Sequence, residues 1–330
     1  MTAVTSDRST RTAARLRQVA RNPVVIASVL AILLVVVGQL ISPGFGSYNQ
    51  VISMLRIASF LGIIAIGQTI VILSGGDGID LSVGKVATLG AIIGARVMDG
   101  TDANLAGGIL IPLLVGAAIG LVNGLGIVYL RIPPFVMTLG MLGVVQGIIL
   151  AYTGGVAAGR AAPFLTELVN TRWLLGAPGV LFVWIVLIVV VTLVLRRTRP
   201  GWNLYAVGSN RTAARLSGIR VNATVIGAYV ASGVCAVLAG LLLLGYTESV
   251  FLNLADDYTL PSVAAVVIGG TLIAGGVGGY LGSAIGAIVL SVLQSLLTTL
   301  NMPESNRTIV NGVILLALLA LYGRQRKLRA

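Results

Sequence analysis

Histidine is absent from the chain, and cysteine occurs once, at Cys235 inside an apolar stretch. These absences exclude a Cys/His metal site, an imidazole general base and a disulfide scaffold within the chain. Acids are also scarce, with 10 Asp and Glu against 22 Lys and Arg, giving a net charge of +12. Charged residues make up 10% and hydrophobic ones 57%, far from the roughly 25% charge of a soluble domain. With a mean hydropathy of +1.01, the chain reads as a polytopic membrane protein. Most of its basic residues lie in three juxtamembrane runs, Arg8 to Arg21, Arg196 to Arg220 and Arg324 to Arg329. That placement favours orientation and contact with anionic lipid over nucleic-acid binding.

The expected fold is all-α, a bundle of about ten transmembrane helices with both termini cytoplasmic. Spans are expected at about 23–41, 51–73, 82–98, 107–130, 135–152, 179–195, 223–245, 260–276, 279–299 and 308–322, each near the roughly 20 residues a membrane requires. One permease domain, 23–322, then lies between a basic tail at 1–22 and another at 323–330. The first span superficially resembles a signal peptide, but no convincing small-x-small cleavage site follows it, so it reads as an uncleaved helix. Arg131, the 196–222 loop and the RQRKLR tail fall inside, while Asp99, Asp102, Glu167, Glu248, Asp256, Asp257 and Glu304 fall outside, as the positive-inside bias requires. Arg56, Arg96 and Lys85 lie in or at the edge of spans, where an unpaired charge facing lipid is costly.

Two glycine-rich breaks interrupt the apolar runs, SGGDGIDLSVG at 74–84 and AGGVGG at 274–279. Backbone this irregular lies at membrane depth only where protein or water shields it. Gly78 to Val86 is a near miss for a phosphate-binding loop: the spacing is one residue too long and Val86 replaces the hydroxyl, which excludes nucleotide binding there. Asp77, Asp80 and Ser82 in the first break are candidates for the pathway or its gate. For Asp80 the preferred role is a helix cap opening the third span, with solute contact as the alternative; for Asp77 the sequence gives no preference. Dispersed uncharged polar residues, including Gln68, Asn123, Thr138 and Gln146, suit either a neutral hydrophilic solute or interhelical hydrogen bonds. Residues 69–84 and 271–286 share a Thr, an apolar run and a Gly-Gly, which reads either as an internal repeat or as glycine-rich composition.

Glycines at four-residue spacing form rows at Gly116, Gly120 and Gly124, at Gly143 and Gly147, and at Gly282 and Gly286. They predict close helix packing, within the chain or between two copies. In the 196–222 loop, Ser209 or Asn210 can cap a short helix that Gly218 ends. Such a helix is too short to stand alone and must rest on the membrane or a partner; Arg211 and Arg215, four apart, suit an acidic partner.

Four segments, GQTIVILSGG…GIDLSVG, PPFVMTLGMLGVVQGIILAYTGG, GWNLYAVGSNRTAARLSGI and AAVVIGGTLIAGGVGGYLGSAIGA, resemble the ribose-type permeases of bacterial ABC sugar importers, in the same order from about residue 50 to 320. The resemblance implies a homodimeric, multi-pass permease of the cytoplasmic membrane with no cofactor and no enzyme activity of its own. It also implies an extracytoplasmic sugar-binding protein and a separate ABC ATPase as partners. By the same resemblance Gly201 to Ile219 is the coupling segment, with Gly208, Asn210, Arg211, Ala214, Arg215 and Gly218 as its contact residues. The solute implied is a pentose, hexose or related polyol; a stand-alone carrier or channel is the alternative. The family usually reads Gly-Gly-Ile-Asp-Leu-Ser, whereas Gly75-Gly76-Asp77-Gly78-Ile79-Asp80 is two residues longer.

Overall fold

A computed structural model describes residues 22–310, 312–314 and 316. Within them the chain forms α1 (Pro23–Ile41), α2 (Tyr48–Leu73), α3 (Val83–Met98), α4 (Leu105–Val128), α5 (Pro134–Thr153), α6 (Pro163–Asn170), α7 (Gly179–Arg197), α8 (Arg199–Ser209), α9 (Arg211–Leu216), α10 (Val221–Thr247), α11 (Thr259–Ile268) and α12 (Tyr280–Thr299). Pro at the start of α1, α5, α6 and α8 suits the first helical turn, where its missing amide costs nothing.

Among the described residues seven helices are long and apolar enough to cross a membrane. They cover seven of the expected spans. Two others are shorter than the hydropathy suggests: α3 has 16 residues and α11 only 10, about 24 and 15 Å at the helical rise. The expected span 260–276 therefore stops at Ile268, where Gly269 and Gly270 leave the helix and Gly270 takes a φ of +86°. The expected span 308–322 and both basic tails lie mostly outside the described residues.

The core is built around α10, which packs along α4, α3 and α2, while α12 pairs with α2, α11 and α1. Glycine makes these approaches possible. A Cβ on Gly120 would lie 2.2 Å from the Tyr229 carbonyl, and one on Gly286 2.0 Å from that of Ala265. The rows at Gly116 to Gly124 and at Gly282 to Gly286 are thus internal packing faces against α10 and α11. Around Gly140, Gly143 and Gly147 on α5 nothing lies within 4 Å. Wrapped outside this centre, α1, α4, α5 and α7 expose most of their apolar side chains, as lipid-facing helices do.

The awkward arginines find partners. Arg56 sits over the Tyr246 ring at 5.5 Å, and Arg96 over Tyr152 at 4.5 Å while donating to that residue's carbonyl at 2.8 Å. Residues 69–84 and 271–286 differ locally: 69–73 finish α2, whereas 271–279 are non-helical. Both nevertheless place their Gly-Gly pair, Gly75-Gly76 and Gly275-Gly276, at positive φ ahead of a helix.

Candidate functional site: the buried break and its cytoplasmic junction

After Leu73 the chain turns through Gly75, Gly76 and Asp77, all at positive φ (74°, 69° and 55°), and runs back into the bundle as far as Asp80. The tip residues Gly76 and Asp77 are exposed, while Asp80 is 1% exposed. Bringing a carboxylate to that depth requires donors, since an unsatisfied buried polar group costs kilocalories. Asp80 Oδ1 accepts from the Ser82 amide at 3.0 Å and the Ser82 hydroxyl at 2.6 Å. Its Oδ2 accepts from the Ser232 hydroxyl of α10 at 2.7 Å. Gln68 of α2 donates from Nε2 to the Asp80 carbonyl at 2.5 Å and accepts from the Asp80 amide at 3.3 Å. Asn123 of α4 donates to the Ser82 hydroxyl at 3.1 Å, and Thr138 of α5 to the Ile79 carbonyl at 3.2 Å.

Polar residues scattered over four helices therefore converge on one segment. Gln68, Asn123 and Thr138 are each 0% exposed, and they hold the break in place. Asp80 departs from a simple cap: it binds the amide two residues on, as a cap does, but α3 begins only at Val83, and the carboxylate also ties the break to α10. Gln146 stands apart from this cluster, with its Oε1 buried and taking no hydrogen bond. Ser232 is the member that sequence reading missed; its only signal was a small hydroxyl inside an apolar span.

At the tip, three segments distant in sequence meet backbone to backbone. The Gly276 amide donates to the Leu73 carbonyl at 3.1 Å. A Cβ on Gly208 would lie 1.9 Å from that carbonyl and 2.6 Å from the Gly276 nitrogen, and one on Gly275 would lie 2.4 Å from the Gly75 Cα. Arg211 donates to the Gly75 carbonyl at 3.0 Å. Tyr205 donates to the Gly278 carbonyl at 2.9 Å; burial pushes its phenol above the ordinary range, against a smaller pull from Arg196, so the hydroxyl stays a donor. Both glycine breaks are thus joined to α8 and α9. Gly76, at the tip, lies against the Arg211 guanidinium, which a Cβ there would meet at 2.4 Å.

The loop helix forms as its sequence dictates, and its residues divide by role. Asn210 caps α9, its Oδ1 accepting from the Thr212 and Ala213 amides, both at 3.0 Å. Gly218 ends it at φ +79°, with the Ile219 amide donating to the Ala214 carbonyl at 3.0 Å. Ala214 is buried at 4% exposure, while Arg215 is exposed and Leu216 is 85% exposed. Arg211 is exposed, and its guanidinium also ties α9 to the first break through the Gly75 carbonyl. The preceding turns, Arg199–Ser209, form α8, a helix within the expected loop.

Among the described residues no group of His, Cys, Asp or Glu could hold a metal ion. What the geometry offers is a mechanical connection from an exposed helix, through glycine backbone contacts, to a buried polar hub. A family described as "Branched-chain amino acid transport system / permease component" matches residues 50–319. The ribose import permease protein RbsC of Escherichia coli (strain K12) is 34% identical over 88% of this chain and 90% of its own length. The protein of that name from Bacillus subtilis (strain 168) is 32% identical over 86% and 88%. The autoinducer 2 import system permease protein LsrD of Photorhabdus temperata is 33% identical over 80% and 79%. No solved structure matches. The chain belongs to this permease family, and within it is a multi-pass, ribose-type ABC sugar permease.

Proposed function

We propose that this chain is the translocation subunit of an ATP-driven importer for a pentose, hexose or related polyol. It takes solute from an extracytoplasmic binding protein and couples to a separate ATPase through α9. The observation that carries the coupling is the junction of Gly75, Gly208 and Gly276, where the exposed loop touches both breaks with no side chain between them. Movement of α8 and α9 cannot be absorbed by rotamer changes there and passes directly to the segment that Asp80 anchors. In this reading the bundle has ten spans and cytoplasmic termini, α3 and α11 serve as partial spans, and α9 lies on the cytoplasmic side.

Arg215 and Leu216 project from α9 and form the face offered to the ATPase; Arg211 and Asn210 hold the helix in shape behind them. Replacing both, as Arg215→Glu/Leu216→Asp, is expected to lower binding-protein-stimulated ATP hydrolysis of the reconstituted complex by roughly a hundredfold, as a lost hot spot does. The thermal midpoint of the purified permease should not change. A panel of loaded binding proteins assayed the same way identifies the solute. If hydrolysis is unchanged in the double variant, α9 is not the docking element.

The chain works as a homodimer in this reading, through α5. Two of the three glycine rows are occupied within the chain, and the remaining one, Gly143 and Gly147, has open space beside it. Small residues on a free face are what close helix association in lipid requires. With Cys235 replaced by alanine, Gly143→Cys is expected to form a disulfide-linked dimer in membranes under mild oxidation. The same substitution at Gly227 of α10, also open, should stay monomeric.

A further inference from the structure

Away from the Asp80 hub, Lys85 donates to Asp256 Oδ2 at 2.6 Å and to Asn253 Oδ1 at 3.5 Å. The pair joins the beginnings of two short helices. Lys85 is in the first turn of α3, and Asp256 opens the 3-10 turn Asp256–Tyr258 that leads into α11. The approach is close: a Cβ on Gly84 would lie 2.2 Å from the Thr259 hydroxyl and 2.8 Å from the Ala255 carbonyl. The Ala255 amide donates to Thr88 at 3.1 Å, fixing the register.

This cluster sits beside the start of α11, part-way along α12. α11 runs antiparallel to α12, with Ala265 against Gly286 and Gly269 against Gly282. Continued to Thr259, that register reaches about Val292, about 18 Å along α12 at the helical rise. α12 itself has 20 residues, about 30 Å, the thickness of the hydrocarbon core. Charges so placed are expensive against lipid. Yet the side chains of Lys85 and Asp256 are 11% and 31% exposed, and Asn253 is exposed outright. Their open side must therefore face water.

The chemistry of that open side is specific. An ammonium offers three donors, a carboxylate only acceptors, and an amide both. The pair compensates its own charge, so a neutral polyhydroxylated solute can exchange hydrogen bonds with it without bringing a counter-ion. Half-helix starts at mid-depth are also where transporters place their solute sites.

We infer that Lys85, Asn253 and Asp256 form a solute-contacting station on the aqueous path, taking adjacent hydroxyls of a sugar or polyol. This rests on the sugar-permease reading for the identity of the solute, but not for the existence of the aqueous path.

The test has two parts, both in the full complex. Asn253→Ala leaves the ion pair intact and is expected to raise the KM for sugar uptake about tenfold, as for lost binding contacts; an unchanged KM would overturn the inference. The charge exchange Lys85→Asp/Asp256→Lys rebuilds the pair with reversed geometry and should leave uptake impaired; full recovery would show a structural latch and overturn the inference. In the second part, Asn253→Cys in a Cys235→Ala background is treated with a charged thiol reagent, with ribose and other polyols as protecting probes. Modification that one of these slows supports the station. Reaction only with a membrane-permeant reagent, or modification that none of them slows, overturns it. Labelling by the charged reagent is read without transport, so failure of the sugar-permease reading is distinguishable from failure of this one.

Discussion

Replacing Gly208 with alanine is expected to abolish ATP-driven uptake while the helical bundle still assembles. The new Cβ would lie 1.9 Å from the Leu73 carbonyl and 2.6 Å from the Gly276 nitrogen. Both neighbours are backbone, so no rotamer change relieves the clash and the segments must separate. Separation breaks the Gly276–Leu73 hydrogen bond and moves Arg211 off the Gly75 carbonyl. Overpacking of this kind costs about 1–3 kcal/mol, which a bundle of this size survives. The connection between α9 and the buried break does not survive it. Uptake in proteoliposomes should fall by about two orders of magnitude, as when a catalytic geometry shifts by 1 Å, while ATP hydrolysis loses its response to the loaded binding protein. Gly227→Ala supplies the control. Nothing lies within 4 Å of that position, and alanine is favoured over glycine in a helix by up to about 1 kcal/mol, so stability should hold or rise and uptake should persist.

Removing the Asp80 carboxylate should have the second large effect, and on stability before function. Asp80→Ala leaves the Ser82 amide, the Ser82 hydroxyl and the Ser232 hydroxyl without their acceptor. Each orphaned buried donor costs about 1–3 kcal/mol, so a total loss of about 3 kcal/mol or more is expected. The permease should accumulate poorly and unfold at a markedly lower temperature in detergent. Asp80→Asn keeps one acceptor oxygen and should be milder. Ser232→Ala, which removes a donor together with its need, should cost least. If Asp80→Ala unfolds at the wild-type temperature, the carboxylate is not the anchor of the break.

Much of this architecture was legible locally. Seven spans follow from apolar length, and both breaks from glycine. Asn210 and Gly218 announce the start and end of α9 because capping is a matter of neighbouring residues. The shortness of α11 was hidden. Gly269 to Gly276 is apolar enough to continue a hydropathy window, although Gly270, Gly275 and Gly276 all take positive φ. The hub and the junction were hidden for a different reason. Asp80 and Ser232 are 152 residues apart, and Arg211 and Gly75 136, so no periodicity links them. Sequence could name Gln68, Asn123 and Thr138 as unusual in apolar helices, but only the packing shows that they serve the same segment. Arg211 illustrates the limit. Its type and exposure-prone position suggested a partner, and it is exposed, but the Gly75 carbonyl that it also meets could not be foreseen from a residue 136 positions away.

The central claim is that this chain moves solute only when its coupling helix is driven by an ATPase. The most direct measurement is uptake of the stimulating sugar into proteoliposomes holding the permease alone, or the permease with its ATPase and binding protein, with and without ATP. The account expects accumulation only with all components and ATP, and none with Arg215→Glu/Leu216→Asp. Equilibration of the sugar by the permease alone, unchanged by those substitutions, would contradict it and establish a stand-alone carrier.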